Sequence, residues 1–172
     1  MNWLGIVGLG VVVLTIGKEL ADRFNAVSTK YVALENALRS ERWQDADRET
    51  MNIILSAAEK NSQIALAPSD LDRVSCEVLR ELDQLWMRNS ANRFGFSVQK
   101  KIYREMENSI PGFSQAAVFE AFRDRVEWRV NDIWIPDPNI TFSNSPPSGH
   151  FPHASFKIGF LNLVQKLTTC RL

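Results

Sequence analysis

The chain is 172 residues long, and its 20 acidic and 20 basic residues give a formal net charge of zero. That length fits one domain, which can bury about 70% of the surface that its unfolded chain exposes. A chain without excess positive charge lacks the basic footprint of a nucleic-acid-binding protein, so we expect no nucleic-acid partner. The ordinary globular composition argues against a disordered chain.

The N-terminal segment, residues 1–17, is apolar, and positions 3–17 carry no charge. Its length approaches the lower limit for a membrane-spanning helix. Three basic residues follow it, Lys18, Arg23 and Lys30, and they place the rest of the chain on the cytoplasmic side. No basic residue precedes the apolar run, which argues against a cleaved signal peptide. We predict a membrane anchor, with a helix that packs on the protein or on a partner as the alternative.

Helical patterns occupy the next part of the chain. Residues 18–40 contain neither Pro nor Gly, and their apolar side chains recur at three- and four-residue steps, which predicts an amphipathic connecting helix. A second helix is predicted over residues 43–60. Ser69 followed by Asp72 resembles a capping box and predicts the start of one longer helix that ends near Asn89.

The C-terminal half combines helices with one long loop. Ser97 and Ser114 are predicted N-caps, and a last helix is predicted over about 154–170. Residues 129–153 contain five prolines and several aromatic residues, which predicts a long ordered loop. The fold class is therefore all-α, with a compact helical domain over residues 41–172.

No arrangement of residues indicates catalysis. The chain has no Gly-x-Ser-x-Gly motif and no phosphate-binding glycine loop after a strand, so we predict a protein that is not an enzyme and has no catalytic residues. His150 and His153 are too few for a structural metal site, and no covalent cofactor is expected. Cys76 and Cys170 are far apart in sequence and are predicted to be free thiols in a reducing compartment such as cytosol or plastid stroma.

Four segments occur together in a specific order. They are WQDADRET at residues 43–50, LDQLW at 82–86, RFGFSVQK at 93–100, and GHFP at 149–152 after TFS at 141–143. In this order they resemble the genomes-uncoupled-four family, whose members are small helical domains that bind porphyrins and stimulate magnesium chelatase.

The resemblance covers roughly residues 35–167 and implies a function. It implies a carrier or regulator of chlorophyll biosynthesis in a photosynthetic organism, with protoporphyrin IX or its magnesium derivative as ligand. It implies the magnesium chelatase large subunit as a partner. It also implies a location at the cytoplasmic face of a cyanobacterial thylakoid or plasma membrane, or at the plastid stroma or thylakoid. The alternatives are a membrane-tethered helical interaction module without pigment and a relative that binds a linear bilin.

The resemblance also implies that the loop over residues 129–153 contacts the ligand. A tetrapyrrole is a flat apolar disc with two propionates, so its site needs ring faces and a few cations at the rim. The predicted ligand-binding residues are Arg125, Trp128, Arg129, Trp134, Phe142, His150, Phe151 and Pro152. About half of the loop aromatics could instead be anchors of the loop. His150 is interpreted as a hydrogen-bonding residue of its turn, with axial ligation of a metalloporphyrin as the alternative.

Other residues are assigned to the scaffold or differ from the family pattern. Trp86 and Phe94 are predicted to lie in the core, and Gly95 between two Phe residues is expected to adopt an unusual backbone angle. Ser148 stands where family members often have a basic residue, and Glu127 replaces a common small residue. These two differences leave the choice among porphyrin, magnesium porphyrin and bilin open.

Overall fold

The computed structural model describes residues 30–60, 66–130, 133–134 and 145–172, without the side chains of 130, 133, 134, 156 and 157. Residues Leu34–Leu172 form one compact unit. This unit begins seven residues before the predicted start of the helical domain, at residue 41. Among the described residues no helix is long and apolar enough to cross a bilayer. The predicted anchor at residues 1–17 lies outside them.

The unit is built from helices, which confirms the predicted all-α class. A first helix, α1, covers residues 30–39. The others are α2 (Trp43–Ala57), α3 (Pro68–Arg73), α4 (Cys76–Asn89), α5 (Phe96–Ser109), α6 (Gln115–Arg125), α7 (Ala154–Lys157) and α8 (Phe160–Thr169). Two short antiparallel strands add a hairpin between α6 and α7: β1 (Arg129–Val130) and β2 (Ile133–Trp134).

The predicted single helix from Ser69 is wrong, because the structure divides it into α3 and α4. Pro68 opens α3, where a missing N–H costs no helical hydrogen bond. The carboxylate that caps this start belongs to Asp70, which accepts a hydrogen bond from the Ala67 N–H at 3.0 Å. Ser75 then has an extended backbone and accepts from the Val78 N–H at 3.3 Å, so α4 begins with a new cap.

Two further helix boundaries were predicted with different success. The Ser114 hydroxyl accepts from the Ala117 N–H, which confirms that cap. Ser97 instead lies inside the first turn of α5, and its N–H donates to the Asp83 carboxylate at 2.8 Å. The predicted last helix is two helices, because Gly159 has φ +85°, a left-handed conformation that ends α7 and precedes α8.

Four aromatic rings form the first part of the core, here called the Trp86 cluster: Trp43, Trp86, Phe94 and Phe151. Their ring centroids lie 5.2–6.4 Å apart, and the Trp86, Phe94 and Phe151 side chains are at most 1% exposed. Trp86 Nε1 also donates to the Thr50 hydroxyl at 2.9 Å, so its polar group is satisfied. The predicted core positions of Trp86 and Phe94 are confirmed.

The predicted backbone conformation of Gly95 is also confirmed, with φ +139°. A Cβ atom at this position would lie 2.8 Å from Asp83 Oδ1, so both the angle and the space favour glycine. The Gly95 N–H donates to the Phe151 carbonyl at 3.1 Å. The RFGF segment therefore connects α4 to the residues that precede α7.

A second group of buried residues, here called the Trp128 cluster, connects α5, α6 and α8. Its members are Ile102, Tyr103, Val118, Phe122, Val126, Trp128, Phe160 and Val164. Phe122 is at its centre, with ring centroids 4.3 Å from Phe160 and 5.3 Å from Trp128. The packing of α5 against α6 and α8 thus depends largely on aromatic contacts.

The prediction of two free thiols is wrong, because Cys76 and Cys170 form a disulfide. The two residues are 94 positions apart in sequence, but their Cα atoms lie 5.3 Å apart, a normal separation for a disulfide. Folding places the first residue of α4 beside the residue that ends α8. Sequence spacing could not reveal this contact, since it arises from helix packing.

Candidate functional site

A group of half-buried apolar side chains lies against the Trp128 cluster and is here called the apolar face. Its members are Val98, Met106, Ile110, Phe119 and Leu161. Each is partly exposed, in contrast to the cluster beneath, whose members are at most 8% exposed. A partly exposed apolar surface with aromatic backing is the kind of surface that a flat apolar ligand can cover.

The positions of these side chains follow from helix periodicity. Val98, Ile102, Met106 and Ile110 are spaced by four residues, so they share one side of α5 and its C-terminal end. The next helix, α6, begins after the Ser114 cap and packs against α5. This packing brings the α6 residues next to the α5 stripe.

Stacked rings give the apolar face its flat part. The Phe119 ring lies 5.4 Å from Phe160 with an interplanar angle of 17°, and 6.2 Å from Phe122 with an angle of 14°. Phe160 and Phe122 are buried beneath it, whereas Phe119 is partly exposed. A near-parallel set of rings whose outermost member reaches the surface can extend its stacking to a planar ligand.

Charged groups of α6 border this ring stack. The Arg123 guanidinium lies 5.2 Å from the Phe119 ring centroid and pairs with Glu120. Arg129, on β1, contacts the Asp124 carboxylate with two hydrogen bonds of 2.6 Å and Glu120 at 2.6 Å. The hydrogen bond from Arg129 lowers the pKa of Asp124, and the hydrogen bond from Arg123 lowers the pKa of Glu120. Both carboxylates are therefore ionised near neutral pH.

The two arginines predicted from the sequence differ in their surroundings. Arg129 already contacts two carboxylates, so a ligand propionate would compete with them. Arg125 is exposed in the last turn of α6, and the described residues provide no ion-pair partner for it. Of the two guanidinium groups, Arg125 is the more available for a ligand carboxylate.

Trp128 lies within the core. Its side chain is fully buried, its ring is perpendicular to that of Phe122, and its Nε1 donates to the His150 carbonyl at 2.8 Å. The sequence predicted that this ring presents a face to the ligand. In the structure both faces are covered by protein, so direct contact with a ligand would require Trp128 to leave the core.

His150 has the structural role that the sequence favoured. Its Nδ1 lies 2.7 Å from the Val126 carbonyl, and because a carbonyl only accepts, Nδ1 carries the hydrogen. The side chain is 2% exposed, and this burial lowers the pKa of His150 despite the opposing effects of the Val126 carbonyl and Glu127. The imidazole is therefore neutral near pH 7, and axial ligation of a metalloporphyrin would require its exposure.

Phe151 and Pro152 are also buried, and their peptide bond is cis. The Phe151 ring belongs to the Trp86 cluster. Gln99, fully buried on α5, donates to the carbonyls of Gly149 and Pro152 at 3.0 and 2.9 Å. These contacts make the Gly149–Pro152 turn an anchor of the loop, and a ligand-contact role for Phe151 or Pro152 would again require movement of the turn.

Trp134 and Phe142 are the remaining predicted ligand-binding residues. The backbone of Trp134 pairs with that of Arg129 across β1 and β2, but its side chain is outside the described part. Phe142 lies outside the described residues. Ser148, which replaces a basic family residue, donates its hydroxyl hydrogen to the Arg93 carbonyl at 3.1 Å. Glu127 is exposed with φ +56° at the turn that leads into β1.

Sequence reasoning missed the apolar face. None of its five members was among the residues predicted to bind a ligand. The four-residue spacing that continues from Val98 through Ile110 was the available signal. The spacing could not show that these side chains stay partly exposed, because their exposure depends on where α6 and α8 pack.

Comparison with known proteins agrees with this architecture. A sequence model of the family described as GUN4-like matches residues 25–167. The chain is 28% identical over 142 residues to a protein named "Tetrapyrrole-binding protein, chloroplastic" from Arabidopsis thaliana, with 73% of this chain and 48% of that protein aligned. It is 30% identical over 110 residues to "Uncharacterized protein ycf53" from Porphyra purpurea, with 62% and 42% aligned. The chain thus spans about half the length of these relatives.

Two solved structures share the fold. The ligand-free structure of Arabidopsis thaliana GUN4 superposes with a TM-score of 0.60 at 26% identity, covering 78% of this chain and 91% of the other. GUN4 from Chlamydomonas reinhardtii superposes with a TM-score of 0.62, covering 78% and 86%, and at 23% identity supports the fold alone. The family match extends over most of the chain, and the chain therefore belongs to the GUN4-like family.

Proposed function

We propose that this protein binds a tetrapyrrole on the apolar face, with the porphyrin plane against Phe119. The observation that carries the proposal is the stack of Phe119 on the buried rings of Phe160 and Phe122, with the Arg123 guanidinium beside Phe119. The named tetrapyrrole-binding relative supports the ligand class. Protoporphyrin IX and its magnesium derivative are the proposed ligands.

The expected affinity follows from the area and chemistry of such a disc. Burying roughly 300 Å² of apolar ligand surface contributes about 7 kcal/mol before association costs. Those costs remove a large part of this gain. Micromolar or tighter binding therefore needs polar contacts at the rim, and Arg125 is the proposed partner of one propionate. Segments outside the described residues, including Phe142, supply further proposed contacts.

The proposed role is binding without bond making. The protein would hold a photoreactive, poorly soluble pigment and act as a carrier or regulator in chlorophyll biosynthesis. Stimulation of magnesium chelatase through its large subunit is proposed from the family resemblance. A plastid-type or cyanobacterial setting is proposed from the chloroplastic and cyanobacterial relatives. Attachment to a membrane through residues 3–17 remains part of this proposal.

Titration of the full chain in mild detergent tests the ligand class. Protoporphyrin IX, magnesium protoporphyrin IX and a linear bilin are added in turn, while tryptophan fluorescence and the pigment absorbance band are followed. We expect saturable binding of at least one cyclic tetrapyrrole, and tighter binding of it than of the bilin. Absence of saturation at tens of micromolar for all three pigments would reject the proposal.

That negative outcome would favour the second candidate, a helical interaction module. The specific observation behind it is Phe113, which is 64% exposed in the connection between α5 and α6. Phe is among the residue types enriched at protein–protein interfaces, so Phe113 is the candidate contact for a protein partner.

A further inference from the structure

The Cys76–Cys170 disulfide connects the scaffold to the helix that supports the proposed ligand site. Cys76 is the first residue of α4, whose buried residues include Leu82, Leu85 and Trp86. Cys170 directly follows α8, the helix that carries Phe160 and Leu161. The bond therefore joins one end of α8 to the helix that carries Trp86.

The opposite end of α8 forms part of the apolar face. Leu161 belongs to that face, and Phe160 packs beneath Phe119. The ten residues of α8 span about 15 Å, so a restraint at its last turn limits the tilt and fraying of the whole helix. The position of Phe160 thus depends on how the C-terminal end is held.

Noncovalent contacts also hold that end, since Leu167 in the last turn of α8 is only 1% exposed and three polar contacts lie nearby. Arg80 donates to the Cys170 carbonyl at 3.2 Å, Lys166 donates to the Asp72 carbonyl at 3.2 Å, and Lys100 contacts the Leu172 carbonyl. The Lys166 contact is exposed and the other two are partly buried. Such contacts hold a helix end less firmly than a covalent bond does.

The two cysteines of the disulfide differ in solvent exposure. Cys76 is half-buried at the start of α4, whereas Cys170 is only 5% exposed. A dithiol reductant can therefore reach Cys76 first.

We propose that the Cys76–Cys170 disulfide is a redox-controlled clamp on α8, and that its reduction by a dithiol protein loosens α8 and weakens ligand binding at the apolar face. The part that concerns the ligand rests on the proposed function. The part that concerns α8 does not, and it is tested separately.

The exchange reaction balances with one dithiol. A thiolate of the reductant attacks the Cys76 sulfur, forms a mixed disulfide and releases Cys170 as a thiolate that takes up a proton. The second thiol of the reductant then attacks the reductant's first sulfur atom in the mixed disulfide. Cys76 is released as a thiolate, which takes up a proton. The protein gains two electrons and two protons at its sulfur atoms, and the reductant leaves as a disulfide.

The experiment compares the full chain before and after treatment with dithiothreitol. Maleimide labelling followed by mass spectrometry should show no adduct before reduction and two adducts after it. Hydrogen exchange of the amides in residues 160–172 should become about tenfold faster on reduction, while the interior of α2 stays unchanged. The melting temperature should fall by about 10 °C, since a long closed loop is opened.

The ligand readout uses the same samples. The dissociation constant for protoporphyrin IX should rise by about fivefold on reduction, the lower end of usual coupling between sites. The matched control is the double variant Cys76→Ser, Cys170→Ala. It should bind like the reduced protein in both buffers and show no response to dithiothreitol.

Several results would overturn the inference. Two maleimide adducts without a reductant would show that the disulfide is not formed. Unchanged exchange of α8 after confirmed reduction would show that the bond is no clamp, and equal affinity in both states would remove the link to the ligand. If neither state binds a tetrapyrrole, the proposed function fails, and the exchange of α8 alone decides whether the clamp exists.

Discussion

The two aromatic clusters use similar residues but differ at their outer boundary. In the Trp86 cluster, the Trp86, Phe94 and Phe151 rings are at most 1% exposed. The Trp128 cluster is equally well buried at its centre, yet partly exposed apolar side chains such as Phe119 and Leu161 cover one of its sides. Trp43 of the Trp86 cluster is also partly exposed, so what marks the candidate site is that four further half-exposed apolar side chains accompany Phe119 on the Trp128 cluster.

The largest expected effect comes from removing the Trp86 ring, which contacts the other three rings of the Trp86 cluster. We expect Trp86→Ala to reduce the free energy of unfolding by about 3–5 kcal/mol, because it leaves a cavity and removes one of the two hydrogen bonds of the Thr50 hydroxyl. Trp86→Phe keeps most of the packing and should cost less. Urea unfolding followed by circular dichroism measures both. A loss below about 1 kcal/mol for the alanine variant would contradict the scaffold role.

Replacing Phe119 on the apolar face should weaken ligand binding more than it lowers stability. Phe119→Ala removes the outermost ring of the stack, so we expect protoporphyrin affinity to fall about tenfold, in line with a lost aromatic contact. The free energy of unfolding should fall by only about 1–2 kcal/mol, since the side chain is partly exposed. Pigment titration and urea unfolding are measured together. The matched control is Phe113→Ala, which should change neither quantity strongly.

The pH dependence of stability tests the role of His150, whose Nδ1 donates to the Val126 carbonyl in the Trp128 cluster. Burial lowers the pKa of His150, so the unfolded chain takes up the proton first as the pH falls. The stabilising contribution is complete above about pH 6.5, the pKa of an unperturbed histidine, and is lost as the pH falls below it. Urea unfolding between pH 8 and 5 should show this decline, and His150→Asn should flatten it.

Asp83 cannot cause the same decline. Burial raises the pKa of Asp83, so its contribution is present at low pH and is lost as the pH rises through the folded-state value. If the decline below pH 6.5 is as steep in the His150→Asn variant as in the wild type, the assignment to His150 is incorrect.

The smallest effects concern the two predicted arginines. Arg125→Ala should weaken protoporphyrin binding by about twofold to fivefold and leave stability unchanged, because an exposed ion pair is worth little. Arg129→Ala should lower the free energy of unfolding by about 1 kcal/mol, since its contacts with Glu120 and Asp124 are lost. Equal affinities of Arg125→Ala and the wild type at low salt would remove Arg125 from the site.

Much of the scaffold was predictable because it depends on local signals. Trp86 and Phe94 were predicted to lie in the core, and both are at most 1% exposed. Ser114 predicted its cap from residue type alone. The same reasoning failed at the start of α4, because Ser69 lies inside α3 and the helix is capped by Ser75 instead.

The site was less predictable because it depends on contacts between distant residues. Phe151 was assigned to the ligand from its place in an aromatic loop, but its ring completes the Trp86 cluster at residues far earlier in the chain. Arg129 was assigned to a propionate from its position beside Trp128. Its contacts with the carboxylates of α6 could not be read from that position.

By itself the sequence determined the helical class, the family membership and the core residues of α4 and the RFGF segment, since these follow from periodicity, residue type and ordered motifs. Only the tertiary structure decided that Cys76 reaches Cys170 and that the α5 stripe stays half-exposed beside Phe119. The physical reason is that a helical pattern states which side of one helix is apolar, whereas the packing of several helices decides how much of that side is covered.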